Sequence, residues 1–303
     1  MSRAAASVGP LNAPGRSPVA PWILLAPFFV LFAAFTAYPL VASLWLSTRQ
    51  TFGPGASKGV GLGNFSQLVH DPIFWHALRN TLLFTLGSVC IQLPLSLLLA
   101  IALNRPGLRG RGVLRLIMFA PVLVGVVFVG MMFSVIFEKR TGMLNQLLHS
   151  FGGWNLDFPW LETYVMPALI LATLWQYVGF NMVYFLAALQ NVPQELEEAA
   201  CMDGASAWNR FRHVVVPAIR PVGTFVVLLS IIGSFQLFEL PYILFNATGG
   251  PDNRGLSLVL YLYQSGFQTG DLGYASAIGW AMAVILMACA VLQRVVSAKG
   301  ENP

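Results

Sequence analysis

Charged side chains are scarce in this chain, because Asp, Glu, Lys and Arg make up only 10% of its 303 residues. Hydrophobic residues make up 56%, above the roughly 45–50% that is usual for a soluble globular domain. The mean hydropathy of +0.69 agrees with this bias. The composition therefore argues against an ordinary soluble fold and indicates an integral membrane protein.

Residues and motifs that support catalysis are also missing. The three cysteines, Cys90, Cys201 and Cys289, have no CxxC spacing, so neither a disulfide nor a zinc site is indicated. The four histidines lack an HExxH spacing, and none of the three lysines lies in the Gly-Lys-Ser/Thr sequence of a nucleotide-binding P-loop. No GxSxG sequence occurs either. We therefore expect a non-catalytic chain with no metal or cofactor of its own.

Long apolar runs, in contrast, are abundant. An α-helix rises about 1.5 Å per residue and needs roughly 20 apolar residues to cross a hydrocarbon core of about 30 Å. Six runs qualify, at about residues 22–46, 81–103, 113–137, 164–189, 222–245 and 274–292. They are apolar all round rather than alternating, which favours helices over barrel strands. The sequence predicts an all-α integral membrane protein with about six transmembrane helices.

The segments outside the runs suggest a domain division and an orientation. Residues 1–20 are rich in Ala, Pro, Gly and Ser and predict a mobile cytoplasmic tail. A transmembrane domain would cover residues 21–295, and residues 296–303 would form a cytoplasmic C-terminal tail. With the N-terminus inside, 11 of the 17 Lys and Arg residues fall in cytoplasmic segments. Both termini are therefore expected in the cytoplasm, and membrane topology explains the basic excess better than nucleic acid does.

A polar stretch, residues 196–221 (LEEAACMDGASAWNRFRHVVVPAIRP), separates the fourth and fifth runs. Pro193 and the acidic residues after it suit the first turn of a helix, and Gly204 suits its end. Small or short side chains recur at three- and four-residue spacing, at Leu196, Ala199, Ala200 and Asp203. We predict a short helix from about Pro193 to Asp203 that is built for docking rather than for spanning.

These residues also resemble a known motif. Glu198-Ala199-Ala200, then Gly204, then Val215-Val216-Pro217, is similar to the EAA loop (EAA, three residues, G, nine residues, I-x-LP) of permease subunits of ABC importers. Valines replace the usual larger aliphatic residues. Residues 61–81 resemble the first outer loop and second span of the sugar-permease branch that includes the maltose and glycerol-3-phosphate systems. Residues 247–279 resemble the last outer loop and final span of the same branch. Residues 247–279 are more similar to the MalF/UgpA type than to the MalG type.

The resemblance implies a transmembrane permease subunit that forms half of a translocation pathway in the bacterial cytoplasmic (inner) membrane, for a sugar or a glycerol-phosphate-type solute. The implied partners are a second, MalG/UgpE-like permease, two ATPase subunits that bind ATP and Mg, and an extracytoplasmic solute-binding protein. It also implies that the cytoplasmic coupling loop, about residues 190–221 between spans 4 and 5, contacts the ATPase. The implied coupling residues are Glu198, Ala199, Ala200, Asp203, Gly204 and Pro217.

Two of the runs carry polar and aromatic stripes at helical spacing. They are Tyr177, Phe180, Asn181 and Tyr184 in the fourth run and Phe235, Phe238, Glu239 and Tyr242 in the fifth. Aromatic faces stack on sugar rings while amides and carboxylates bind hydroxyls. Ordinary aromatic packing between spans explains the same pattern. The candidates for a solute pathway are Gln92, Gln176, Tyr177, Asn181, Tyr184, Gln236, Glu239 and Tyr242.

Two other functions stay open. A stand-alone secondary transporter driven by ions is the main alternative, although the docking helix, the single intramembrane acid Glu239 and the lack of clear inverted halves weigh against it. Glu239 would also fit a position near the outer interface, paired locally. A polytopic membrane enzyme lacks a constellation of acid, base and nucleophile.

Overall fold

A computed structural model gives the fold of the chain and describes residues 20–51, 55, 57–105 and 107–299. The tail expected over residues 1–20 lies outside this part except for residue 20, with which the first helix begins. The described chain is mostly helical, which confirms the predicted class. One small departure is an antiparallel hairpin of two short strands, β1 (Arg49–Thr51) and β2 (Ser57–Gly59).

Along the chain, helical segments long enough to cross a membrane are joined by short connecting helices. The α-helices are Ala20–Phe32, Tyr38–Ser47, Gly63–His70, Pro72–Gly87, Leu93–Asn104, Arg111–Phe119, Val126–Ile136, Met143–Gly152, Val165–Gln190, Gln194–Met202, Ala207–Arg210, Val216–Phe235, Glu239–Leu244, Leu258–Tyr263 and Leu272–Lys299. The π-helical segments are Ala33–Ala37, Ser88–Gln92, Phe211–Val215 and Gln264–Gln268. The 3-10 segments are Ala120–Leu123 and Pro251–Asn253.

Within the described residues, five helical segments are long and apolar enough to cross a membrane, and a bent pair supplies a sixth. We call them span 1 (Pro21–Ser47), span 2 (Pro72–Asn104), span 3 (Arg111–Leu123 with Val126–Ile136), span 4 (Val165–Gln190), span 5 (Ala207–Leu244) and span 6 (Leu272–Val295). Each predicted run falls in one of them. The helix of span 6 continues to Lys299, into the residues expected to form a C-terminal tail.

Span 2 begins earlier than its hydropathy predicts. Asp71 precedes Pro72, and the Asp71 carboxylate accepts a 2.8 Å hydrogen bond from the Ile73 N–H. Proline is well suited to the first turn because its missing N–H has no helical partner there. This capped start lengthens span 2 beyond the purely apolar part of its sequence.

Span 3 is predicted as one continuous helix over residues 113–137, and this prediction is wrong. The two halves meet at an angle of 95°. Pro121 lies in the 3-10 turn at the end of the first half, and Val124 (ψ 126°) and Gly125 (ψ 138°) are extended. The sequence remains apolar through the bend, so hydropathy alone does not reveal it.

Prolines explain three of the π-helical segments. In each, the residue before a proline donates its N–H five residues back rather than four. A proline ring collides with the carbonyl four residues earlier, and the wider turn relieves this collision. The prolines concerned are Pro39, Pro94 and Pro217. Each therefore shifts the helical register by one residue without ending the span.

Contacts between distant segments define one end of the bundle. The Thr51 N–H donates a 3.3 Å hydrogen bond to the Asp271 carboxylate, which joins the hairpin to the start of span 6. The Arg254 guanidinium donates to the Thr163 carbonyl at 3.3 Å, which joins the segment after span 5 to the start of span 4. We call this the hairpin end.

The opposite end carries the helix Gln194–Met202, which we call the loop helix. It contacts the π-helical segment Phe211–Val215 at the start of span 5. The Arg220 guanidinium donates a 2.9 Å hydrogen bond to the Ser297 carbonyl near the end of the last helix. We call this the loop-helix end.

Three buried apolar clusters hold the spans together. The first joins spans 2, 3 and 4 to the helix Glu239–Leu244, the second joins spans 2, 4 and 5, and the third joins spans 2, 5 and 6. Between spans 3 and 4 the backbones touch, since a Cβ at Gly179 would lie 1.7 Å from the Met118 carbonyl oxygen. Small residues permit such close approach in lipid, where packing rather than water exclusion holds helices together.

Candidate functional site: a polar cavity and an exposed loop helix

A cavity of about 380 Å³ lies among spans 2, 3, 4 and 5. Its volume falls in the range of roughly 300–1,000 Å³ that is typical of small-molecule sites. Its polar lining consists of Ser88, Gln92, Thr173, Gln176, Asn181, Ser230, Ser234, Gln236 and Glu239. Tyr177 and Phe180 add aromatic rings. The cavity therefore combines hydroxyls, amides, one carboxylate and aromatic faces.

Most residues expected along a solute pathway come together here. Gln92, Gln176, Tyr177, Asn181, Gln236 and Glu239 all line the cavity. Tyr184 and Tyr242 lie outside its lining. Tyr184 packs edge-on against Phe180 and Phe225, with ring centroids 5.2 and 6.2 Å apart. At these two positions the aromatic-packing interpretation fits better.

Tyr242 does not belong to the expected stripe, because the helix of span 5 is interrupted before this residue. The backbone of Phe238 adopts φ −138° and ψ −60°, which is not helical, so Phe235 and Glu239 do not share a helical face. Phe235 is fully buried in the third cluster, whereas Glu239 is exposed. Tyr242 packs on Phe238 and Tyr263 at centroid distances of 5.2 and 5.5 Å. The predicted continuous stripe in span 5 is wrong.

The predicted stripes do not include the hydroxyl residues of the lining. Ser88 and Gln92 bound the π-helical segment that ends just before Pro94, and both line the cavity. Nearby, the Ser96 hydroxyl bonds to the carbonyls of Gln92 (2.8 Å) and Val178 (2.9 Å), which fixes span 2 against span 4. A proline following a short polar group inside an apolar run is the sequence signal that could have identified this segment.

Gln176 is almost fully buried and hydrogen-bonded to the bend of span 3. Its side chain is 2% exposed, and its Nε2 donates a 3.1 Å hydrogen bond to the Val124 carbonyl at the bend of span 3. Since a carbonyl only accepts, the amide nitrogen must face Val124. The Gln176 Oε1 is buried and has no hydrogen-bond partner within the described chain. The Gln176 side chain thus carries a buried, unpartnered acceptor in the cavity lining.

Glu239 brings the one carboxylate of the lining. It is exposed and is the first residue of the helix Glu239–Leu244. In the described part of the chain the salt bridges join Lys139 to Glu162 and Arg254 to Asp252, and neither includes a residue of the cavity lining. No Lys or Arg belongs to that lining. Glu239 is therefore the acidic side chain among the otherwise uncharged polar groups of the lining.

A second polar cluster lies at the hairpin end, where Asp71 caps span 2. The hydroxyls of Tyr261 and Tyr274 both donate to Asp71 Oδ2, the second at 2.5 Å. Burial raises the pKa of Asp71, but the hydrogen bonds from Tyr261, Tyr274 and the backbone outweigh burial and hold this pKa below its usual value of 3.8. Burial, followed by the bond to Asp71, raises the pKa of Tyr261 to about 12. This cluster fastens spans 2 and 6 to the helix Leu258–Tyr263.

The loop helix is confirmed with nearly the predicted limits, over Gln194–Met202. It ends at Gly204, whose φ of +77° is a left-handed conformation that glycine adopts without strain. None of its residues is buried, and the exposed apolar side chains include Leu196 (52%) and Met202 (88%). The surface of the loop helix is therefore open to contact with another molecule.

The structure places the expected coupling residues in two groups. Glu198, Ala199, Ala200, Asp203 and Gly204 lie on or directly after the loop helix, where Glu198 accepts a 2.9 Å hydrogen bond from Gln194. Pro217 lies apart from them, in the first turn of Val216–Phe235. It follows the π-helical segment Phe211–Val215 near the start of span 5.

Comparison with known proteins identifies related chains. Residues 92–299 match the family model of the binding-protein-dependent transport system inner membrane component. The arabinooligosaccharides transport system permease protein AraP of Bacillus subtilis (strain 168) is 37% identical, over 93% of this chain and 90% of its own length. The lactose transport system permease protein LacF of Rhizobium radiobacter is 35% identical, over 90% of this chain and 92% of its own length.

A solved structure also has a similar fold. It is the crystal structure of a bacterial ABC transporter involved in the import of the acidic polysaccharide alginate, with a TM-score of 0.79 and 23% identity. The match covers 93% of this chain and 96% of that chain. At this identity the likeness concerns the fold alone.

Proposed function

The chain belongs to the family of binding-protein-dependent transport system inner membrane components, and we propose that it forms half of the translocation pathway of an ABC importer for a sugar. Its relatives AraP and LacF are permease proteins for arabinooligosaccharides and lactose. Membership of this family replaces the stand-alone, ion-coupled transporter as the explanation of the apolar spans. The relatives are permeases, which fits a non-catalytic role for this chain.

The cavity among spans 2 to 5 is the proposed solute site. The observation that carries this proposal is the buried, unpartnered Oε1 of Gln176 in a lining that also contains Asn181 and Tyr177. A buried acceptor without a partner is costly, and a sugar hydroxyl supplies the missing donor. Aromatic rings next to it provide faces for the C–H groups of the sugar. A second, MalG/UgpE-like permease would complete the pathway.

The loop helix is the proposed contact with the ATPase. Its exposure, its apolar side chains Leu196 and Met202, and its left-handed end at Gly204 support docking into a groove of another protein. Two ATPase subunits would bind ATP and Mg, and their closure would reorient the spans. Glu198, Ala199, Ala200 and Asp203 would lie at that contact, and Pro217 would set the geometry between loop helix and span 5.

This assignment fixes the orientation in the membrane. The loop-helix end and both termini would lie in the cytoplasm, in agreement with the greater number of basic residues on that side. The hairpin end would face outward, toward the solute-binding protein that the family description names. The membrane is the bacterial cytoplasmic (inner) membrane.

Substitution of Asn181 tests the solute site. The Asn181→Leu variant should abolish uptake while the complex with the second permease and the ATPase still assembles, because Asn181 lines the cavity and its side chain makes no hydrogen bond within the described residues. The control is Gln67→Leu, an exposed amide at the hairpin end, which should leave uptake unchanged. Normal uptake by the Asn181 variant would contradict the proposal.

A further inference from the structure

The charge of the cavity bears on which solutes it accepts. Glu239 is exposed, lines the cavity and belongs to neither salt bridge found in the described part of the chain. The remaining polar lining is neutral. No Lys or Arg of the lining offsets the Glu239 carboxylate. The solute therefore meets a uniformly negative or neutral wall on this side of the pathway.

The hydrogen-bonding groups of the cavity are also biased. Gln176 donates through its Nε2 to the Val124 carbonyl and keeps an unpartnered acceptor, its Oε1. The Glu239 carboxylate accepts as well. Sugar hydroxyls both donate and accept, whereas an ionised carboxylate or phosphate has no proton to donate. Two acceptor side chains in the lining thus favour a ligand with hydroxyl groups over an anion.

We propose that Glu239 makes the cavity selective for uncharged sugars and against anionic solutes such as uronic-acid oligosaccharides or sugar and polyol phosphates. This inference rests on the proposed function, in which the cavity holds the solute. It narrows the solute class that the resemblance left open, by removing glycerol-phosphate-type compounds. With an effective dielectric constant of about 20, a like charge within roughly 10 Å disfavours an anion at least about tenfold.

A cysteine placed in the cavity provides the test. Ser230 lines the cavity and is half-buried, so Ser230→Cys gives a reporter thiol after the native Cys90, Cys201 and Cys289 are replaced. In the complete transporter complex, a neutral maleimide labels this thiol, and arabinotriose or trigalacturonate is added to protect it. These probes match in length and differ in charge. The measurement is the ratio of the two half-protecting concentrations.

We expect arabinotriose to protect at a concentration at least about tenfold lower than trigalacturonate. The Glu239→Gln change should bring the two concentrations together. The control Glu162→Gln removes a carboxylate outside the cavity and should leave the ratio unchanged. If the ratio is the same with and without the Glu239→Gln change, while arabinotriose still protects, the inference is overturned and the proposed function still stands.

A measurement without ligand further distinguishes failure of this inference from failure of the proposed function. Anionic and cationic methanethiosulfonate reagents are each reacted with the same thiol. After Glu239→Gln, the ratio of the anionic reagent's rate to the cationic reagent's rate should rise at least about tenfold. An unchanged ratio would overturn the inference. If neither sugar protects the thiol in either variant, the proposed solute site fails, and the charge preference for solutes fails with it.

Discussion

The side-chain amide of Gln176 donates a 3.1 Å hydrogen bond to the main-chain carbonyl of Val124, at the point where span 3 bends by 95°. The bend leaves Val124 extended, so its carbonyl is available for a bond outside the helix. A single residue of span 4 thus both satisfies the broken backbone of span 3 and lines the cavity. Gln176 therefore joins the bend of span 3 directly to the cavity lining.

Replacing Gln176 by Met should lower both the thermal stability and the uptake activity of the complex. The variant loses the hydrogen bond to the Val124 carbonyl, and a bond of this kind contributes about 0.5–1.5 kcal/mol. We expect lower thermal stability of the purified complex together with lost uptake. Asn181→Leu is the matched comparison, since it should lose uptake at nearly unchanged stability. Equal stability of the two variants would contradict the role given to the Val124 bond.

Pro217 should act through the helical register near the start of span 5, next to the loop helix. Without its ring, the wide turn Phe211–Val215 can close to an ordinary α-turn, which shifts the loop helix by one residue, about 100° and 1.5 Å, relative to span 5. We expect Pro217→Ala to assemble normally but to lose the stimulation of ATP hydrolysis by the solute-binding protein.

Pro221 offers the control for this prediction, because it lies inside the same helix and no π-helical segment immediately precedes it. Pro221→Ala should keep stimulated hydrolysis. If both proline variants behave alike, the register shift is not what Pro217 contributes.

Glu198 should matter for coupling and not for folding. It is exposed on the loop helix, and its hydrogen bond within the described chain joins it to Gln194 one turn earlier. Exposed pairs of this kind contribute only about 0.2–0.5 kcal/mol. Glu198→Gln should therefore leave stability unchanged while uncoupling ATP hydrolysis from uptake. Glu195→Gln, an exposed acid in the first turn of the same helix, should remain coupled; uncoupling by both would point to general loss of charge.

The sequence predicts those features that depend on a regular repeat or on local capping. The six spans follow from the length of apolar runs, and the loop helix follows from Pro193 and Gly204 at its ends. Six cavity residues are among the candidates because amide and aromatic side chains stand out in an apolar run. These features need no knowledge of which spans touch.

The missed features depend on contacts between distant segments or on local backbone changes. The bend at Val124 and the break before Phe238 occur inside apolar sequence, so hydropathy passes through them unchanged. Tyr184 is similar in sequence to Tyr177 but packs on Phe225 of span 5. The bonds of Tyr261 and Tyr274 to Asp71 join residues about 190 and 203 positions away. No local pattern carries that information.

The Asp71 cluster predicts a dependence of stability on pH. Because the pKa of folded Asp71 lies below its usual value of 3.8, the ionised carboxylate stabilises the fold fully above that value, and this contribution is lost as the pH falls through the lowered pKa. Tyr261→Phe removes one donor to the carboxylate. At pH 7 we expect the variant complex to be less stable by about 1.5–3 kcal/mol, the usual range for hydrogen bonds to charged groups.

Thermal unfolding of the two complexes at several pH values checks this prediction. The difference between wild type and Tyr261→Phe should hold from about pH 5 to pH 9 and shrink below pH 3.8, where Asp71 begins to be protonated in the unfolded chain. It should also shrink as the pH rises from about 10 toward 12, because the Tyr261 hydroxyl, with its pKa raised to about 12, then loses the proton that it donates. A difference that is constant across both limits would mean that the ring of Tyr261 stabilises the hairpin end by packing and that its hydroxyl contributes nothing.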